Sequence, residues 1–145
     1  QVLGVFAADR VEPMARVLLE LGTEHALVVH GDDGLDELTT TDSTLVCEVR
    51  NGDIEVHSIR PEDCGFERAA PEDLRGGDPA ENAAAMRAVL SGQPGPLADV
   101  TALNAGAAIY VGGVRETLPQ GAAAAREVLA SGAAWAKLEE LRSFA

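Results

Sequence analysis

Aromatic side chains are scarce in this sequence, at 3 % of its residues. A core without them has to be filled by Ala, Val and Leu, and small side chains let helices approach closely. A helix-rich, closely packed domain is therefore expected. Lysine is nearly missing as well: Lys137 stands alone, and all basic residues together number 11 against 24 acidic ones, for a formal net charge of −13. Nucleic acids and anionic membranes both attract basic surface, so neither is an expected partner. The same excess fits a protein adapted to high salt, where self-repulsion is screened. No stretch approaches the ~20 apolar residues of a membrane span, and no secretion signal is present, so a cytoplasmic location is expected. Cysteine is limited to Cys47 and Cys64, with no C-x-x-C and no partner pair at zinc-ligand spacing. Both read as reduced and structural.

What the chain does contain is enough for one domain: 145 residues, 46 % of them hydrophobic. It starts at Gln1 directly on the strand-like run Val2-Leu3-Gly4-Val5-Phe6, as expected of a piece of a longer polypeptide. The first unit reads as a strand near 2–6, a helix near 10–22 and a strand near 25–30. The helix shows apolar residues at Val11, Met14, Val17, Leu18 and Leu21 and ends at Gly22. Strand, helix and parallel strand make a right-handed βαβ unit.

Thr44–Val49 and Ile54–Ile59 are two further strand-like runs joined by Asn51-Gly52, a strong hairpin signal because a type I′ turn needs positive φ at both central positions. His57 lies on the second run and is assigned no role, being read as satisfied or exposed. Residues 60–78 hold two prolines and three glycines and form a long irregular connection. Asp78-Pro79-Ala80-Glu81 matches an N-cap, a first-turn proline and a capping-box acid. A turn and a cap account for Gly76, Gly77 and Asp78. Helices follow near 79–91, 97–112, 117–130 and to the end, with a second capping-box pattern at Thr117–Gln120. Asn104, among apolar neighbours, is expected to anchor a nearby loop because a buried amide needs hydrogen-bond partners. The fold class is α/β: a βαβ unit plus an antiparallel hairpin in a mixed sheet, followed by C-terminal helices.

The chemistry is expected in His30-Gly31-Asp32-Asp33-Gly34-Leu35-Asp36-Glu37, which follows the buried strand Ala26–Val29. Ligands of open α/β sheets bind beyond the carboxyl ends of the strands, where this acidic loop falls. Asp36 and Glu37 are adjacent hard oxygen donors of the kind that Mg²⁺ takes together with water and substrate phosphate.

This run, Val28 to Glu37, resembles the V-V-H-G-x-D-G-L-D-E signature of the anthranilate phosphoribosyltransferase family. Pro61-Glu62-Asp63 with Gly65, Gly76-Gly77-Asp78 with Glu81-Asn82-Ala83, and Leu103-Asn104-Ala105 through Ala108 and Tyr110 match further family motifs in order. The resemblance runs from Gly4 to the last helix. It implies the C-terminal portion, residues 1–145, of the α/β domain shared by nucleoside phosphorylases and phosphoribosyltransferases, without the family's N-terminal helical domain. It also implies transfer of phosphoribosyl from phosphoribosyl pyrophosphate to anthranilate in tryptophan biosynthesis, with Mg²⁺ as cofactor and Asp36 and Glu37 as the metal pair.

A homodimer is implied for the complete protein. The family's G-T-G-G-D turn and K-H-G-N-R segment are not among these residues. No catalytic or substrate-contacting residue is therefore assigned, and the chain alone is expected to be inactive. Two departures stand within the matched part, Cys64 in place of a common Phe and Gly106 within an alanine run, the latter weakening a helix. Two other readings are a pyrimidine nucleoside phosphorylase-like enzyme, which the intact D-G-L-D-E argues against, and a non-catalytic binding relative.

Overall fold

A computed structural model describes residues 1–144. Its sheet has four strands in the order β1 (Val2–Gly4), β2 (His25–Gly31), β3 (Thr44–Arg50) and β4 (Asp53–Ile59). β1 runs parallel to β2, with Leu3 opposite Val28, while β2–β3 and β3–β4 are antiparallel. The mixed sheet and the βαβ unit are as read from the sequence. β1 is shorter than expected: after Gly4 one bond from Val5 N to the Val29 carbonyl continues the pairing, and Phe6 lies 79 % exposed. Asn51 and Gly52 take φ of 54° and 87°, the two positive values the hairpin turn needs.

Alternation along the strands divides the core in two. Ala26, Val28, Cys47 and Val49 point to one face and pack under helix α1 (Val11–Glu20) through Val11, Ala15 and Leu18. Val17 and Leu21, expected on that buried face, are 47 % and 77 % exposed. The buried stripe of this short helix is narrower than its apolar periodicity implied, with Ala15 at its centre.

Leu27, Val29 and Val46 point to the other face, against helices α3 (Pro96–Val111) and α4 (Leu118–Ala130). Helix α2 (Pro79–Leu90) lies on α3, and α5 (Ala133–Arg142) lies on α4 and α2. Two 3-10 turns, Pro61–Cys64 and Pro71–Leu74, break up the long connection.

The helix starts follow local chemistry. Asp78 Oδ1 accepts from the amides of Ala80 and Glu81 at 2.8 and 2.9 Å, and Glu81 returns the bond to Asp78 N. At α4 the box is displaced by one residue: Thr117 Oγ1 accepts from Gln120 N, but the Gln120 side chain accepts from Glu116 N, not Thr117 N.

The contact between α3 and α4 is set by two glycines. A Cβ on Gly106 would lie 2.4 Å from Ala122 N, and one on Gly121 would lie 2.2 Å from the Gly106 carbonyl oxygen. Gly106 is thus the point where the second helix crosses, more than a weak link in an alanine run. Gly106→Ala gains ~1 kcal/mol of helix propensity but forces backbones apart, a strain of about 1–3 kcal/mol. The contact outweighs the propensity, because backbone cannot yield as a side chain tip can. Thermal unfolding of Gly106→Ala is expected to show a lower Tm; an unchanged or higher Tm would contradict the close crossing.

Candidate functional site

The acidic loop leaves β2 at Gly31 and returns at Thr44, and its base is closed by a bond from Asp32 N to the Ser43 carbonyl at 2.8 Å. Inside it, Gly34 at φ 96° donates to the Gly31 carbonyl, and Gly31 N donates to the Leu35 carbonyl at 2.8 Å. Asp33 ties the interior together. Its carboxylate accepts from Leu35 N, from Thr39 Oγ1 at 2.6 Å and from Thr41 Oγ1. Burial pushes the Asp33 carboxyl upward, and the bonds from Thr39, Thr41 and Leu35 outweigh it to leave the group below the usual aspartate value. Asp33 is therefore a brace, fully engaged by its own loop.

Asp36 and Glu37 have the opposite character. Both are exposed and lie in a bend after the strand, with no protein hydrogen bond to either carboxylate among the described residues. Burial raises the Glu37 carboxyl above its usual value, and the charges of Asp36 and Asp33 raise it further. Two carboxylates held this close repel, and a cation relieves that repulsion. The donor set fits Mg²⁺, a hard ion that accepts one or two carboxylates and fills the rest of its shell with water and phosphate oxygens. Among the described residues no group of three or more His, Cys, Asp or Glu is placed to hold a metal. A closed protein cage is thus not present, and the pair suits a site completed by substrate.

The main chain on each side of the pair is fixed. A Cβ on Gly4 would lie 1.5 Å from the Asp36 carbonyl oxygen, so the loop rests directly on the end of β1. On the other side Leu38 is fully buried, and its amide and carbonyl both pair with the Asn104 side chain of α3 at 3.0 and 2.7 Å. Asn104 anchors the loop, as its apolar setting implied. His30 Nδ1 lies 2.9 Å from the Val5 carbonyl. A carbonyl can only accept, so Nδ1 carries the proton and Nε2 is the acceptor of the neutral ring.

Other residues singled out in the sequence lie elsewhere. Asn82 pairs with both backbone groups of Gly77, at 2.8 and 3.0 Å, so Gly76 to Asp78 form a turn and a cap. Both cysteines are free and buried, and burial pushes the Cys64 thiol up to about 11 and the Cys47 thiol upward, which leaves them protonated and unreactive. His57, expected to be satisfied or exposed, has a buried Nδ1 without a partner among the described residues.

A cluster that the sequence did not reveal sits at the opposite end of β2, ~20 Å from the loop at the rise of a strand. Glu48 Oε1 accepts from Tyr110 Oη at 2.7 Å and lies 2.8 Å from His25 Nε2, and Arg50 donates to Tyr110 Oη at 3.0 Å. Burial and the Glu48 bond raise the Tyr110 hydroxyl. The residues come from β2, β3 and α3, and only strand register together with the packing of α3 on the sheet brings them together. Thr39 and Thr41, whose hydroxyls brace Asp33, were also missed, although three consecutive threonines after an acidic turn are a signal for bracing hydroxyls.

The model of the glycosyl transferase family, a/b domain, matches residues 1–135. The chain belongs to this family. Within the glycosyl transferase family it is 54 % identical over 97 % of its length to the anthranilate phosphoribosyltransferase of Paramagnetospirillum magneticum, covering 41 % of that protein. It is 49 % identical over 99 % of its length to that of Acetivibrio thermocellus, covering 42 %. The chain thus spans about two fifths of these relatives. Among solved structures it resembles the anthranilate phosphoribosyltransferase of Thermus thermophilus, with a TM-score of 0.89 and 46 % identity over 97 % of this chain and 41 % of that one. It shares its fold, at a TM-score of 0.83 and 24 % identity over 95 % of this chain and 40 % of that one, with the Saccharomyces cerevisiae enzyme in complex with PRPP and Mg.

The raised Glu37 carboxyl has a consequence for stability. A carboxyl whose pKa is higher folded than unfolded costs nothing below its unfolded value and destabilises the fold as it ionises at higher pH. Glu37→Gln keeps the shape and removes the charge. Its Tm at neutral pH is expected to exceed that of the parent chain, and the difference should close as the pH falls below the usual glutamate value of 4.5. Equal Tm values at neutral pH would show that neither burial nor its charged neighbours raise the Glu37 carboxyl.

Proposed function

We propose that this chain is the acidic-loop part of an anthranilate phosphoribosyltransferase, which moves phosphoribosyl from phosphoribosyl pyrophosphate to the amine of anthranilate and releases pyrophosphate, a step of tryptophan biosynthesis. The observation that carries the reading is the 54 % identity to such an enzyme over 97 % of the chain, with Asp36 and Glu37 exposed on a braced loop at the end of β2. The Saccharomyces cerevisiae neighbour, solved with PRPP and Mg, supports the choice of substrate and metal. Asp36 and Glu37 hold Mg²⁺. When bound, Mg²⁺ supplies positive charge to the pyrophosphate as it departs.

The chain's own residues orient that charge. Asp33 and its threonines keep the loop folded, Gly4 lets it lie against β1, and Leu38 seats it in the core. The rest of the protein is proposed to bring the glycine-rich turn that holds the other side of the pyrophosphate and a helical domain through which two copies pair. A cytoplasmic location fits the biosynthetic role, and no helix among the described residues is long and apolar enough to cross a membrane. A net charge of −13 disfavours nucleic acid and anionic membrane as partners.

Holding reactants in near-attack geometry is worth roughly 7–11 kcal/mol, so half of a pyrophosphate clamp leaves turnover below detection. Purified residues 1–145 are expected to form no phosphoribosyl anthranilate alone. Mixed with the N-terminal portion of the Paramagnetospirillum relative they should do so, and Asp36→Asn with Glu37→Gln should abolish the activity of the mixture. Turnover by the chain alone, or a mixture indifferent to the double substitution, would overturn the reading.

A further inference from the structure

Asn104 stands 66 residues from Leu38 in sequence and in a different layer of the fold, yet its side chain satisfies both backbone polar groups of that residue. Oδ1 accepts from Leu38 N at 3.0 Å, and Nδ2 donates to the Leu38 carbonyl at 2.7 Å. The second Nδ2 hydrogen goes to the Val100 carbonyl at 3.0 Å, one turn back in the same helix. The amide is therefore fixed on its own helix before it reaches the loop. A donor and an acceptor side by side in one plane is a property of Asn and Gln alone.

We propose that Asn104 is a positioning residue for the Asp36–Glu37 pair, setting its affinity for a divalent cation through the backbone of Leu38. The proposal rests on the reading of that pair as the metal site. Leu38 follows Glu37 directly, its Cα about 3.8 Å away. On the other side, the Asp36 carbonyl lies where a Cβ of residue 4 would be. The two acids thus occupy a short span of main chain held at both ends. Two adjacent carboxylates of like charge repel each other. A loop free on the Leu38 side relaxes outward and separates the carboxylates, and a cation must then draw them together again. With Asn104 in place that rearrangement is already made.

The side chain does more than hold the helix to the sheet. Many buried contacts do that, among them Leu103, Ala107 and Tyr110 of the same helix, which pack into the core beside Leu27, Val29 and Val46. None of these bonds the loop backbone next to the acids. Loss of outer partners of metal ligands typically weakens metal binding about 10- to 100-fold, and the same range is expected here.

The test uses the complete polypeptide that carries these residues. Mn²⁺ binding in the presence of inorganic pyrophosphate is measured by titration calorimetry, together with the Mg²⁺ dependence of anthranilate phosphoribosylation and with hydrogen exchange at Leu38. Asn104→Ala is expected to weaken Mn²⁺ binding and raise the Mg²⁺ activation constant, each about 10- to 100-fold, with an unaltered KM for anthranilate and faster exchange at Leu38. Leu129→Ala, a cavity in the same core away from the loop, should lower Tm without moving either metal constant.

If Asn104→Ala does not fold, Asn104→Asp is read in its place. It keeps the acceptor for Leu38 N and loses both donated bonds, while its added negative charge alone would tighten cation binding. Weaker Mn²⁺ binding by Asn104→Asp therefore reports position and supports the proposal. Unchanged Mn²⁺ binding in the Asn104 variants, or an equal loss in Leu129→Ala, overturns it. A parent protein that binds Mn²⁺ with pyrophosphate but lacks transferase activity would overturn the functional reading alone, and the Mn²⁺ comparison would still decide the role of Asn104.

Discussion

Two like charges kept next to each other at the end of a sheet are the constraint around which this structure is arranged. Repulsion between Asp36 and Glu37 favours any movement that separates them, and the loop resists because its backbone has nowhere to go. Gly4 brings β1 into contact with the Asp36 carbonyl, Leu38 is sunk in the core, and Asn104 takes up both of its backbone groups. Asp33 holds the loop's interior with its own hydrogen bonds. Asp33 is thus a brace, while Asp36 and Glu37 face solvent without protein partners among the described residues.

That arrangement passes its demands on to α3. The helix bonds the loop at Asn104 and, six residues on, meets the far end of the sheet at Tyr110, whose hydroxyl lies between Glu48 and Arg50. It is attached near both ends of β2. Its height above the sheet is set from behind, by the approach of α4 through Gly106 and Gly121. Small residues at the crossing, Gly106, Gly121 and Ala122, make this possible, because a larger side chain there would hold the helices apart.

The features legible in the sequence were those whose chemistry is local. Asn51-Gly52 turns as it must because the two positive φ values are a property of those residues, and Asp78 and Glu81 cap α2 because their partners lie within three positions. Asn104 was readable as a loop anchor because an amide among apolar neighbours needs partners, though not which loop. Features made by tertiary approach were not legible. Gly106 looked like a weak point in a helix until Ala122 was placed against it, and His25, Glu48, Arg50 and Tyr110 are brought together only by strand register and the packing of α3 on the sheet. Val17 and Leu21 fit the helical period but fall beyond the width of sheet that α1 covers. For Asp36 and Glu37 the residue types pointed to a hard cation, and resemblance alone singled them out as the proposed metal pair.

On the proposed reading, the contacts of Gly4 and Asn104 already shape the loop for a divalent cation. The most direct measurement is a crystal structure of the complete polypeptide grown with Mn²⁺ and phosphoribosyl pyrophosphate, with the metal located by its anomalous signal. A metal is expected at coordinating distance, about 2.0–2.2 Å, from carboxylate oxygens of Asp36 or Glu37, with the Asn104–Leu38 pairing intact. Metal held elsewhere, or a loop that has left Asn104 to reach it, would overturn that reading.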